Sequence, residues 1–171
     1  MNKKSNIMSL VTAAMIAALY VVLSFAIHAF GLASGAIQVR ISEALTILPY
    51  FTFSAVPGLT IGCLLFNVLS GATVLDVIFG TAATLLGAVG SYLIGKAGQT
   101  IPFAKFLVPI PPILANAIII PWVLKTAYNL SDAYWYLFAT IGLGELISCG
   151  ILGMILLFAL RPIRGILFQK N

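Results

Sequence analysis

A single all-α integral membrane domain, a bundle of six transmembrane helices with both termini cytoplasmic, is the architecture this sequence predicts. Three observations carry that expectation. Of its 171 residues, 61% are hydrophobic and only 8% charged, where soluble domains carry about 25% charge. The apolar residues gather in runs close to the 20 or so needed to cross a bilayer. The basic residues sort onto alternate inter-helix segments, as they do in multi-pass proteins of the cell membrane. Length alone argues for one domain over 1–171, and no soluble domain, long linker or low-complexity segment separates from it.

The elements follow in order. Residues 8–30 form an apolar run that is too long for a signal-peptide core, although Lys3 and Lys4 precede it. A polar patch, Gln38 to Glu43, separates it from apolar sequence to Gly71 that Pro49, Pro57 and Gly58 interrupt, predicting two short helices over 42–55 and 58–71. Residues 74–95 form an uninterrupted span. The stretch from Lys96 to Lys105, with Pro102, reads as a loop. Residues 106–125 form the fifth helix, with Pro109, Pro111 and Pro112 near its start. Residues 131–160 form the sixth, with Ser131 as its expected N-cap.

With the N-terminus inside, the inner segments hold Lys3, Lys4, Lys96, Lys105, Arg161, Arg164 and Lys170, and the outer ones hold Arg40 and Lys125. Seven against two fixes the orientation. Asp76, Asp132 and the Arg40/Glu43 patch then fall on the outer side.

The composition excludes several function classes. Nine basic against four acidic residues give +5, too sparse for a nucleic-acid surface and better read as topology. Cys63 and Cys149 both lie in apolar runs, as buried small residues rather than a disulfide framework or metal site. Gly90-Ser-Tyr-Leu-Ile-Gly95-Lys96-Ala97 nearly matches a P-loop, but alanine replaces the magnesium-binding hydroxyl and the segment ends a membrane helix. The single histidine, His28, reads as interfacial or structural. No spacing of His, Cys and carboxylates suggests a metal or a nucleophile triad. The sequence therefore predicts no enzyme, no cofactor and no metal.

Small residues supply packing signals. The first helix carries Ala13, Ala14, Ala17 and Ala18, two interleaved Ala-x3-Ala pairs. The span 74–95 carries Ala83, Gly87, Ser91 and Gly95 at four-residue spacing. Such ladders let backbones approach closely in lipid. Internal packing is the expectation for 74–95, whereas docking to another membrane protein stands beside internal packing for the first helix.

Polar residues inside the spans mark the candidate site, because a carboxylate in hydrocarbon costs several kcal/mol unless it faces a cavity or partner. Glu145 lies near mid-membrane in the last helix, and Tyr134, Phe138 and Ile141 lead down to it on one face at spacings of four, three and four. Asn116 has a similar depth. Asn67 lies near the outer end of the third helix. Asp76 opens the fourth, with Thr84 two turns below. Glu43 opens the second, near Arg40. Each has a plain alternative: a surface Arg40/Glu43 pair, a helix-end charge at Asp76, an interhelical hydrogen bond at Asn116, and back-bonding at Thr84. Most of them converge on the outer half of the bundle.

At these residues the sequence resembles a known family. The run Gln38-Val-Arg-Ile-Ser-Glu-Ala-Leu-Thr-Ile-Leu-Pro-Tyr50 is similar to the signature of the QueT family. So are Gly58-Leu-Thr-Ile-Gly-Cys-Leu-Leu-Phe-Asn67, Asp76-Val-Ile-Phe-Gly-Thr81 and Thr84-Leu-Leu. The QueT family comprises substrate-binding S components of energy-coupling factor (ECF) transporters, thought to import queuosine precursors, the 7-deazaguanines. The resemblance implies a six-helix ECF S-component bundle with an outer ligand cavity closed by the loop after the first helix. It also implies that the first-helix alanines contact a transmembrane coupling subunit riding on two ATPase subunits. The absence of an ATP-binding motif agrees with that.

The residues fit a deazaguanine on chemical grounds. Its N1–H and exocyclic amine are parallel donors that one carboxylate accepts together. Asn67, Asn116 or Arg40 would supply a donor to O6, and Tyr134, Trp135 and Phe138 would stack on the base. An aminomethyl arm, being cationic, suits a second carboxylate such as Glu43 or Asp76. Which precursor binds (preQ1, preQ0 or queuine) is left open. So are an S component for another vitamin-like molecule, a solitary small transporter, for which internal repeats are expected but not detected, and a membrane enzyme, for which no constellation is found.

Overall fold

The computed structural model describes residues 3–30, 40–98 and 102–167, the side chains of 3–5, 102 and 166 excepted. Every regular element among the described residues is helical. Helix α1 runs Lys3–Ala29 and is followed, beyond residues 31–39, by a 3-10 helix, Ile41–Tyr50. Then come α2 (Ala55–Leu69), α3 (Val74–Ala97), a short 3-10 helix (Pro102–Leu107) and α4 (Ile110–Ala127). The last long stretch is α5 (Tyr134–Glu145), a π-helical segment (Leu146–Leu152) and α6 (Gly153–Leu160), with a turn of 3-10 helix and the four-residue α7 (Arg164–Leu167) after it. The loop expected to close the cavity falls in 31–39, outside the described residues.

The burial pattern is inside-out relative to a soluble protein. Leu10, Phe30, Val74, Leu86 and Ile155 stand exposed, whereas Ser24, Ser42, Glu43, Asn67, Ser91, Asn116, Glu145 and Ser148 are buried. Lipid is as apolar as a core, so apolar side chains can face outward while polar ones find partners inside. Among the described residues, four stretches are long and apolar enough to cross a membrane: Asn6–Ala29, Val74–Ala97, Phe103–Ala127 and Tyr134–Ile163. The chain is an all-α, multi-pass membrane protein. Helix α2, with 15 residues, is about 22 Å long. The first 3-10 helix, with 10 residues, is about 20 Å long. Each falls short of the roughly 30 Å hydrocarbon thickness.

Several expected elements need correction. The segment 42–55 is not an α-helix but the 3-10 helix Ile41–Tyr50, every residue from Ser42 to Pro49 being buried. It packs against α1, α2, α3, α6 and the π segment at once. Ten residues stretch about 20 Å as a 3-10 helix against about 15 Å as an α-helix, so this winding carries the chain further through the bundle. Pro57 does not break the chain. It occupies the first turn of α2, where a missing N–H costs nothing, so α2 begins at Ala55 rather than 58. The expected helix 106–125 is divided, because Pro111 and Pro112 likewise open α4. Ser131 is not an N-cap: Ala133 holds that position without a side-chain bond. The Asp132 carbonyl accepts from Lys125 Nζ at 2.7 Å instead, drawing the turn back over the end of α4.

Close approaches hold the bundle. A Cβ on Gly58 would lie 2.7 Å from the Ala13 carbonyl, and one on Gly62 would lie 2.8 Å from Tyr20 Cβ, so α1 and α2 meet backbone to backbone. On α3, Gly87 abuts Pro112, Gly90 abuts Pro111 and Gly95 abuts the Tyr50 backbone. Ser91 Oγ donates to the Val108 carbonyl at 2.8 Å. The small-residue ladder of α3 is thus internal packing.

Candidate functional site

The polar side chains gather where α1, α2 and α4 end and α3 begins. A cavity of about 400 Å³ opens there, lined by Tyr20, Ser24, His28, Arg40, Asn67, Asp76 and Tyr128 among others. Its volume lies within the range of small-molecule pockets. Helix α1 contributes Tyr20, Ser24 and His28, one residue every four, so they share a face. Phe66 of α2 supplies an aromatic wall, with the His28 ring 6.2 Å and the Phe25 ring 5.1 Å from its centroid. Gly71, in the turn after α2, adopts φ +74°, a conformation that an L side chain resists.

Asp76 stands at the rim. Its backbone N–H donates to Thr73 Oγ1, capping α3, and its Oδ2 accepts from the Tyr128 hydroxyl at 3.0 Å. That contact ties α3 to the segment after α4 across the mouth. Partial burial, then the adjacent Asp76 carboxylate, raises the Tyr128 pKa above its ordinary value of 10.0. Asn67 Nδ2 lies 3.4 Å from the Asp76 carbonyl.

Beneath the cavity lies a second layer. The Tyr20 hydroxyl, part of the cavity wall, donates to Glu43 Oε1. Glu43 Oε2 is buried and has no hydrogen-bond partner among the described residues. Glu43 is 1% exposed and Glu145 is 5% exposed, and ligating atoms of Glu43, Glu145 and Cys149 lie within 4.8 Å of one another. Cys149 Sγ is 3.1 Å from Glu145 Oε2 and 3.4 Å from the Glu43 carbonyl. Asn116 of α4 stands against both carboxylates, without closing a hydrogen bond to Glu43 Oε2. Arg40 lies within electrostatic reach of Glu43, Asp76 and Glu145.

The π segment brings this layer together. It begins directly after Glu145. The Arg40 N–H donates to Ser148 Oγ at 3.2 Å, and Thr46 Oγ1 donates to the Glu43 carbonyl at 2.6 Å. The wider π turn therefore docks onto the first turn of the 3-10 helix. Such turns inside α-helices recur at functional sites.

The sequence-predicted residues thus divide. Arg40, Asn67 and Asp76 line the cavity, and Glu43, Asn116 and Glu145 form the layer below. Thr84 back-bonds to the Gly80 carbonyl at 3.2 Å and does not line the cavity. The stripe from Tyr134 to Glu145 does not lead into it: the Tyr134 hydroxyl donates to the Ile118 carbonyl on α4, and Trp135 is 74% exposed. Phe138 stacks on Trp135 at 5.9 Å, outside the cavity lining. The aromatic wall comes instead from Phe66, His28 and Tyr128. Tyr20, Ser24, His28 and Cys149 were missed as site residues, although the polar stripe Tyr20-Ser24-His28 is visible in an apolar helix. The alanines divide too. Ala13 and Ala17 are buried against α2 and are not free for a partner, whereas Ala14 and Ala18 are exposed.

Comparison with known proteins gives two findings. The family model described as QueT transporter matches residues 10–162. A curated relative, the "Queuosine precursor transporter QueT" of Lactococcus lactis subsp. cremoris (strain MG1363), is 40% identical over 84 residues, 49% of this chain and 49% of that one. The chain thus matches about half the length of that relative. No solved structure matches.

Proposed function

The chain belongs to the QueT transporter family, and on that premise we propose that it is the substrate-binding membrane subunit of an ATP-driven ECF importer, taking a 7-deazaguanine from the outer side. The observation that carries the reading is the two-layer site: a cavity of about 400 Å³ with an aromatic wall, above two buried carboxylates. A guanine-type edge presents two parallel donors, and a carboxylate accepts both while rejecting bases that lack them. Glu145 is the acceptor we assign, because its Oε2 is met by the weak thiol donor of Cys149 at 3.1 Å, which a stronger donor pair can displace. Asn67, Asn116 and Arg40 are the donors for O6. Phe66 and Tyr128 flank the ring in place of Tyr134 and Phe138.

In this reading the coupling subunit and the two ATPase subunits supply the energy, and the exposed pair Ala14 and Ala18 forms the docking stripe on α1. Small residues there would let a partner helix approach closely. The test of the substrate reading is direct. The protein is purified from cells grown with queuosine precursors, and the co-purifying small molecule is identified by mass spectrometry. A deazaguanine in stoichiometric amount supports the reading. Any other ligand, or saturable uptake in cells lacking ATPase partners, refutes it.

A further inference from the structure

We infer that this site selects its ligand by positive charge: a deazapurine carrying a protonated amine on its side arm, in preference to the neutral nitrile of the same ring. The inference rests on the deazapurine reading above. Its first ground is the charge around the site. Among the described residues, Glu43, Asp76 and Glu145 face one guanidinium, Arg40. His28 lines the cavity but adds no permanent charge.

The second ground is independent of that count. Glu43 is 1% exposed, and its Oε2 is buried without a hydrogen-bond partner among the described residues. Buried polar atoms are nearly always partnered, so an orphan in a built cluster marks the place of a missing donor. Glu145 and the Cys149 thiol lie within 4.8 Å of the same carboxylate. Two carboxylates this close repel unless a proton or a cation is shared between them. An ammonium brings three N–H donors and a positive charge to that point. A nitrile brings an acceptor and no charge, and leaves the orphan unpaired.

The geometry also assigns the pathway. Tyr20 separates the cavity from Glu43, donating to Oε1 and leaving Oε2 open. The flat ring remains beside Phe66 and Tyr128, its N1–H/amine edge towards Glu145, while the neighbouring ammonium arm reaches past Tyr20 to Glu43. Arg40 keeps the layer from carrying two uncompensated charges in the absence of ligand.

The test is calorimetric titration of the full-length protein with 7-aminomethyl-7-deazaguanine, 7-cyano-7-deazaguanine and guanine. The aminomethyl compound is expected to bind at least about tenfold more tightly than the cyano compound, as a charge-assisted bond replaces a neutral one. In Glu43→Gln that ratio should shrink towards one with cyano binding retained, whereas Glu145→Gln, which loses the base edge common to both compounds, should weaken both. Equal affinities, or a preference for the nitrile, overturn the charge selection and leave the deazapurine reading standing. Failure of all three compounds overturns both. A preference that persists undiminished in Glu43→Gln overturns its origin at the Glu43 carboxylate.

Discussion

Replacing Glu145 by glutamine should raise the stability of the empty protein while lowering its affinity, and the opposite signs make the test sharp. The side chain is 5% exposed and its neighbouring carboxylate oxygens lie within 4.8 Å. Two full charges at that distance and an effective dielectric near 20 repel by about 3.5 kcal/mol. Arg40, and a proton shared between the two carboxylates, offset part of this, so the net relief is about 1–3 kcal/mol. Glutamine keeps the volume, and its amide can donate to the orphaned Glu43 Oε2. For a chain of this size that gain raises the melting temperature by about 2–12 °C. The same amide cannot accept two hydrogen bonds from the N1–H/amine edge. Losing a charge-assisted bidentate contact costs about 2–4 kcal/mol, or about 30- to 1000-fold in Kd. Thermal unfolding in detergent and calorimetry with a deazaguanine read the two quantities separately. Affinity unchanged within twofold, with the fold intact, removes Glu145 from the site. A fall of several degrees in melting temperature refutes the repulsion argument.

Three further outcomes are expected. Ala14→Trp should leave ligand binding by the isolated protein intact but abolish co-purification with the ATPase-bearing module; Ala17→Trp should instead destabilise the monomer by more than about 3 kcal/mol, because Ala17 meets α2 at Gly62. Tyr20→Phe strips Glu43 of its phenol donor and should cost about 1–3 kcal/mol in chemical denaturation; an unchanged midpoint would place that hydrogen bond outside the fold's energetics. The Tyr128–Asp76 tie should persist to pH 10, since its phenol pKa is raised above 10.0, and its stabilisation should be lost as pH rises through that higher value. Ligand dissociation rates followed from pH 8 to 11 would show the loss in the wild type and its absence in Tyr128→Phe.

The long spans were legible because a membrane helix is specified by run length and apolarity, which a sequence displays directly. The 3-10 winding of Ile41–Tyr50 was not, since tertiary contact on every side selects it and no local period announces it. Depth was legible at Glu145, where a carboxylate interrupts an apolar run. Its meeting with Glu43 was not, because that contact joins residues a hundred positions apart through a π turn. The Tyr134 stripe misled for a related reason. Helical spacing correctly put Tyr134, Phe138 and Glu145 near one face, but the upper part of that face is occupied by α4, whose Ile118 carbonyl takes the Tyr134 hydroxyl. The alanines of α1 show the limit of spacing alone. Positions 13 and 14 differ by about 100° around the helix, enough to separate an internal contact from an exposed one.

Both native thiols, Cys63 and Cys149, are 1% exposed, and buried thiols in apolar or acidic surroundings react slowly with electrophiles. The wild-type chain is therefore close to silent towards a membrane-impermeant maleimide, and no cysteine-free background has to be built. A single new cysteine at Ala14, Lys96 or Lys125 would be the reactive one. Labelling of intact cells compared with inside-out vesicles would read the orientation of the bundle at Lys96 and Lys125, and shielding at Ala14 would report when a partner helix covers α1.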